Sequence, residues 1–319
     1  MATLFKPGWI KPSSILFASE IPVNQESFAF ALAQAVEYGA KFILFHSYDM
    51  LVVSASEISG FVPYDGAAAA RAEIEHLEPL AQRVLDAGVE CETVVRPGLP
   101  ADQILNFLRE REIDRVIMGT HSLGTIGRLL VGSAAEAVLR NARTPVFVVG
   151  PEVGDASYCN FSVRTIICGI SLYKTSEMLA SFAAELAAEH HARLVLQHVI
   201  LPQERAEVLA GRTIGQIEDE LVSLIPIELQ GKIAVEPIVV QGEPTEELLY
   251  QSRAQQADLI VLGAQSATTF ASIARQGVTY KVLAHARCPV ITLPQMVMPV
   301  SSSKNEKTHS AEVYLAGVF

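Results

Sequence analysis

A repeat at constant spacing constrains this chain more than any other feature. Gly98 and Pro100 in RPGLP answer to Gly242 and Pro244 in VQGEP, Asp114 and Gly119 to Asp258 and Gly263, and Ala142, Arg143 and Pro145 to Ala286, Arg287 and Pro289, all 144 residues apart (98 to 242, 145 to 289). Upstream the spacing becomes 151 (Ile15 to Ile166) and 152 (His46 to His198), so length changes are confined to connections. Two copies of one unit are the simplest source of such register. The expected division is 1–150, a linker over 151–163, a second unit over 164–295 and a largely flexible polar tail over 296–319.

Within each copy, short apolar runs alternate with longer amphipathic stretches. In the first copy the runs are Ile15–Ser19, Phe42–Tyr48, Glu90–Arg96, Arg115–Gly119 and Pro145–Gly150. Between them lie helical patterns over Gln25–Tyr38, Ala67–Ala87, Pro100–Glu110 and Ser133–Asn141. Strands crossing over through helices make a parallel sheet. The fold expected is α/β, with two similar open parallel five-stranded sheets flanked by helices.

Charge removes one class of function. With 24 Lys+Arg against 35 Asp+Glu the net charge is -11, which repels a phosphate backbone, so nucleic acid is not an expected partner. No run of about 18 apolar residues is present and the N-terminal segment lacks the apolar core of a secretory signal, so neither a membrane partner nor export is expected. The four cysteines lack metal-ligand spacing and suit a reducing cytoplasm. No metal site is expected.

Ligands of open parallel sheets collect beyond the strand C-termini, at the switch point of the topology. The loop after the fourth run, Gly119-Thr-His-Ser-Leu-Gly-Thr-Ile-Gly-Arg-Leu-Leu-Val-Gly-Ser133, has four glycines and ends where a helix begins. Glycines let backbone N–H groups approach an anion, and Gly132-Ser133 sets free N–H groups at a helix N-terminus. It is neither a Walker loop nor a GxGxxG turn. On glycine count alone, a loop whose glycines merely allow tight turns is as good a reading.

Strand-Gly-x-x-Gly-(nine residues)-Gly-Ser/Thr, followed by a helix and a Pro-Val-x-Val-Val strand, resembles the ATP-binding universal stress proteins. The match stands at Gly119, Gly132 and Ser133, with VIMGTHS and GRLLVGSAAEAVLRNARTPVFVVG, and extends over both copies. Ser122 departs from the motif at its second glycine. The resemblance implies strand order 3-2-1-4-5 in each copy, the fold shared with adenine nucleotide alpha hydrolases. It implies ATP, with or without Mg2+, as the ligand. The base end would be held by Ala18, Ser19, Glu20 and Ser47, and the phosphates by the stretch containing Met118, Gly119, His121, Ser122, Gly132, Ser133 and Ala134. Glu20 stands where ATP-binding relatives carry Asp, which keeps the carboxylate but lengthens its reach.

The second copy has Ser171 at the position of that carboxylate, and Gln276 and Gly277 at the positions of Gly132 and Ser133. It is expected to bind no nucleotide. His46 and His198, at equivalent strand ends, read as hydrogen-bonded structural groups, and His190-His191 as a helix end where imidazole suits the C-terminal dipole. Arg128 is a candidate phosphate counter-charge, and the acidic stretch Glu73 to Glu78 reads as a solvated face.

No nucleophile triad, HExxH or base placed against a γ-phosphate is present, so no catalytic residue is assigned and at most slow ATP hydrolysis is expected. The apolar final strands, 145–150 and 289–294, are expected to pair inside one chain as a pseudo-dimer, because an uncovered apolar edge is an aggregation hazard. A further homodimer stays open. Two functions follow: a nucleotide-binding stress or regulatory module with its site in the first copy, or a nucleotide-free scaffold for partners.

Overall fold

In a computed structural model, the described residues are 4–48, 66–120, 132–154, 162–172, 176–202, 205, 209, 211–263 and 277–294. The first half runs β1 (Ser14–Ser19), α1 (Gln25–Tyr38), β2 (Lys41–Tyr48), α2 (Gly66–Asp86), β3 (Cys91–Pro97), α3 (Pro100–Glu110), β4 (Arg115–Gly119), α4 (Ser133–Asn141) and β5 (Val146–Val149). The second repeats it as β6 (Thr165–Gly169), α5 (Ser176–His190), β7 (Arg193–Ile200), α6 (Ile214–Ser223), β8 (Val235–Gln241), α7 (Pro244–Ala254), β9 (Leu259–Gly263), α8 (Val278–His285) and β10 (Val290–Leu293). The expected elements are present to within a residue or two. The tail from 296 lies outside the described residues, as does linker segment 155–161.

The ten strands form one sheet in the order β3-β2-β1-β4-β5-β10-β9-β6-β7-β8, so each half has the order 3-2-1-4-5. Within a half every pairing is parallel. The halves meet where β5 and β10 run antiparallel, with Val290 opposite Val148, Ile291 opposite Phe147 and Thr292 opposite Val146. All three pairs are buried, and the apolar edges cover each other as expected from their sequences. Gly150 closes the join: a Cβ there would lie 2.5 Å from the carbonyl oxygen of Leu283 on α8.

Alternate strand residues feed two cores. Ile15 and Phe17 pack with α1, α2, α5 and α6 on one face, and Leu16 with α3, α4, α7 and α8 on the other. The connection from β1 therefore leaves on one face and that from β4 on the other, which opens a crevice between their C-terminal ends. The repeated Asp114 and Asp258 acquire a role here. Asp114 Oδ2 accepts from the N–H of Ser13 at 2.8 Å, and Asp258 Oδ2 from those of Arg164 and Thr165 at 2.8 and 2.9 Å, tying the start of β1 and of β6 to the next strand in the sheet.

The N-terminal segment, to which the sequence assigns no element, packs across both halves. A short 3-10 turn at Pro7–Trp9 buries Trp9, and Phe5 stacks on Trp9 and meets Phe182 of α5 edge-on. Arg115 of β4, fully buried, pins this segment. It donates to the carbonyls of Trp9 and Ile10 and to Gln34 Oε1, and it lies 4.8 Å from the ring centroids of both Tyr38 and Phe147. Tyr38 of the first half hydrogen-bonds His190 of the second at 3.0 Å. His190 closes its helix as expected, and burial, reinforced by the Arg115 charge, pushes it down from 6.5 to about 4.

Two predictions follow from this join. Arg115→Leu leaves two buried carbonyls and Gln34 without their donor, and should cost about 3 kcal/mol in urea unfolding while speeding hydrogen exchange in residues 5–10. For His190, the unfolded chain takes up a proton as pH falls through about 6.5 whereas the folded chain does so only near 4. Stability should therefore decline from pH 6.5 to about 4 and level off below. The urea midpoint of His190→Gln should fall less across that window than that of the parent.

Candidate functional site

The crevice between β1 and β4 holds a cavity of about 40 Å³. Of the residues singled out from sequence, Ala18, Ser19, Glu20, Ser47, Met118, Gly119, Gly132 and Ala134 line it. Ser133 begins α4 beside them without lining the cavity, and His121, Ser122 and Arg128 lie outside the described residues. The structure adds Phe45, Pro100, Ile104 and Ala135 to the wall. Phe45 was legible in principle, since it shares a strand face with Ser47. Pro100 and Ile104 come from α3, whose approach to the crevice is set by packing.

Strand ends at this site are braced from within. His46 Nδ1–H donates to the carbonyl of Ser19 at 2.9 Å, and its counterpart His198 donates to Ile170 at 2.8 Å. Both are structural groups as expected, each fixing the backbone immediately before the position of Glu20 or Ser171. His46 Nε2 also lies 3.6 Å from Glu73 Oε2, so the acidic stretch of α2 is not wholly a solvated face. The Ser19 hydroxyl donates to the carbonyl of Glu20 at 3.1 Å.

At the other side of the crevice, α4 starts with Gly132 as its N-cap, which has no side chain to accept from the first-turn N–H groups. Those groups and the helix dipole suit an anion. Gly119 has a second role beyond backbone access. A Cβ there would lie 2.9 Å from Ser27 Oγ and 3.3 Å from Asn24 Cβ, where the N-terminus of α1 crosses the end of β4. Asn24 is itself the cap of α1, accepting from the Ser27 N–H at 2.7 Å.

The lining has the chemistry for an adenine nucleotide: a carboxylate and a hydroxyl at the strand ends, then a helix N-terminus capped by glycine. The closed volume is another matter, with room for a water or two. Phe45 in the wall packs against the buried ring of Phe107, with centroids 5.3 Å apart. Among the described residues no cluster of three or more potential metal ligands occurs, and no helix is long and apolar enough to cross a membrane.

A doubly wound α/β sheet, duplicated in one chain with a crevice at each switch point, defines the class of protein. The sequence model of the universal stress protein family matches it twice, over residues 14–150 and 162–294. This chain belongs to the universal stress protein family, as a tandem member. A universal stress protein of Methanocaldococcus jannaschii is 31% identical over 133 residues, spanning 40% of this chain and 75% of that one. One of Mycolicibacterium smegmatis is 26% identical over 212 residues, 65% of this chain and 69% of its own. The crystal structure of a universal stress protein from Archaeoglobus fulgidus superposes with a TM-score of 0.68 at 15% identity, covering 90% of this chain and 98% of that one, a likeness of fold.

The packing role of Gly119 has its own test. Gly119→Ala should lower stability by about 1–3 kcal/mol in chemical denaturation with no nucleotide present. A loss confined to ligand binding would instead assign this glycine to the ligand alone.

Proposed function

We propose that the first half binds an adenine nucleotide and that the protein serves a stress or regulatory role with little or no hydrolysis. The observation that carries this reading is the convergence of Glu20, Ser47 and the glycine-capped N-terminus of α4 on one crevice at the switch point. Glu20 and the backbone beside Ser19 would hold the base, with Ser47 at the neighbouring strand end. Gly119, Gly132 and Ser133 would present N–H groups to the phosphates. The bound nucleotide supplies a charged, exchangeable signal rather than a reaction. Held by backbone dipoles against a net charge of -11, it would bind with a marked salt and phosphate-count dependence. A cytoplasmic location accords with the free thiols Cys91, Cys168 and Cys288.

A volume of about 40 Å³ means that the wall must open to admit a purine, and that opening reduces apparent affinity. The same volume favours a second reading, a nucleotide-free protein that acts by binding partners. Calorimetric titration of the full chain with ATP separates the two. The expected result is weak saturable heat that strengthens several-fold in Glu20→Asp and vanishes in Gly132→Asp, although Asp at that N-cap should preserve or raise thermal stability. No heat from the parent at millimolar ATP would leave the scaffold reading.

A further inference from the structure

The crevice between β6 and β9 repeats the site of the first half, and its cavity is about 280 Å³ against about 40 Å³. The Phe45–Phe107 ring pair of the first half corresponds in sequence to Gln197 and Gln251, and Gln197 lines the larger cavity. Gln197 lines the cavity and is 1% exposed, yet neither its amide nitrogen nor its amide oxygen has a hydrogen-bond partner. The buried hydroxyl of Ser176, at the first turn of α5 and also in the wall, is likewise unpartnered. Buried polar groups are nearly always paired, so three orphaned atoms in two lining residues mark an incomplete site.

The backbone around Gln197 is held firmly. Ile170 N–H donates to the Gln197 carbonyl at 2.8 Å, and His198 Nδ1–H donates to the Ile170 carbonyl. The terminal torsion of a glutamine is soft, so the amide can turn toward a guest while the strand stays put. Among the described residues the lining holds no charged side chain, and Ser171 replaces the carboxylate of Glu20. Among the described residues no lining side chain would pair with a charged guest. Leu248, Leu262 and Val278 supply apolar walls. The volume lies at the lower limit of small-molecule pockets and suits a single substituted ring.

We propose that the second half binds a small uncharged molecule made of an apolar ring and a carboxamide or lactam. A carboxamide presents a donor and an acceptor side by side, which the Gln197 amide matches with an acceptor and a donor, and Ser176 adds a third bond. The site is independent of nucleotide binding in the first half.

Saturation-transfer NMR and calorimetry on the full chain, with benzamide and 2-pyridone as probes and toluene and benzoate as controls, test the assignment. Both amide probes should bind at least about tenfold more tightly than either control. Gln197→Leu should erase the preference over toluene while raising the melting temperature, because it removes an unpaired buried amide without leaving a void. The preference should persist in Glu20→Ala and in the presence of ATP, which separates this site from the first. Absence of amide binding to the parent, equal binding of toluene and benzamide, or undiminished benzamide binding by Gln197→Leu would each overturn the proposal.

Discussion

The antiparallel pairing of β5 with β10 is the contact on which the rest of this molecule depends. Each half ends in a four-residue apolar strand with both faces covered by helices, which would be an exposed edge in isolation. Joined, the two strands exchange their backbone hydrogen bonds and the two sheets become one. The join also aligns the halves, so that Arg140 of α4 meets the Tyr280 hydroxyl of α8 at 3.2 Å and Glu152 meets His285 at 3.2 Å. With the edges closed on each other, the pair satisfies inside one chain what two single-unit chains would need association to satisfy.

Beside that join, the N-terminal segment acts as a clasp. Phe5 and Trp9 extend the aromatic core across to Phe182, and Lys11 pairs with Glu189 of α5 at 2.9 Å. Arg115 holds the segment through main-chain carbonyls rather than a carboxylate, so its charge is spread over dipoles and two aromatic faces. Burial, with the same charge adding to it, keeps neighbouring His190 neutral. One buried guanidinium thus links the start of the chain, the first half's sheet and the protonation of a residue in the second half.

Duplication has left two crevices with one frame and different contents. In both, a histidine on the second strand braces the end of the first, and a helix begins close to the end of the fourth strand. The first crevice keeps a carboxylate and fills its floor with two aromatic rings. The second has a hydroxyl in place of the carboxylate and glutamines in place of the phenylalanines, and its larger cavity is lined by polar atoms without partners. Loss of the glycine motif in sequence therefore does not mean a closed site.

The sequence by itself determined the duplication, the order and limits of the elements, the strand order implied by family resemblance, and most of the first crevice's wall. Periodicity, proline and glycine punctuation and a constant spacing are local signals, and Ala18 to Glu20 and Met118 to Gly119 follow once their strands are placed. Tertiary structure alone decided what happens between distant segments. Arg115 reads in sequence as an ordinary charge at a strand start, yet it is buried because residues 9, 10 and 34 converge on it. His190 reads as a helix-end imidazole, and only its burial beside Arg115 shows that it is held neutral. Phe45 and Gln197 occupy equivalent strand positions, and only the packing of α3 and α7 against them shows that one fills its crevice and the other leaves it open. Such outcomes depend on the sum of many side-chain volumes, which no single residue or motif encodes.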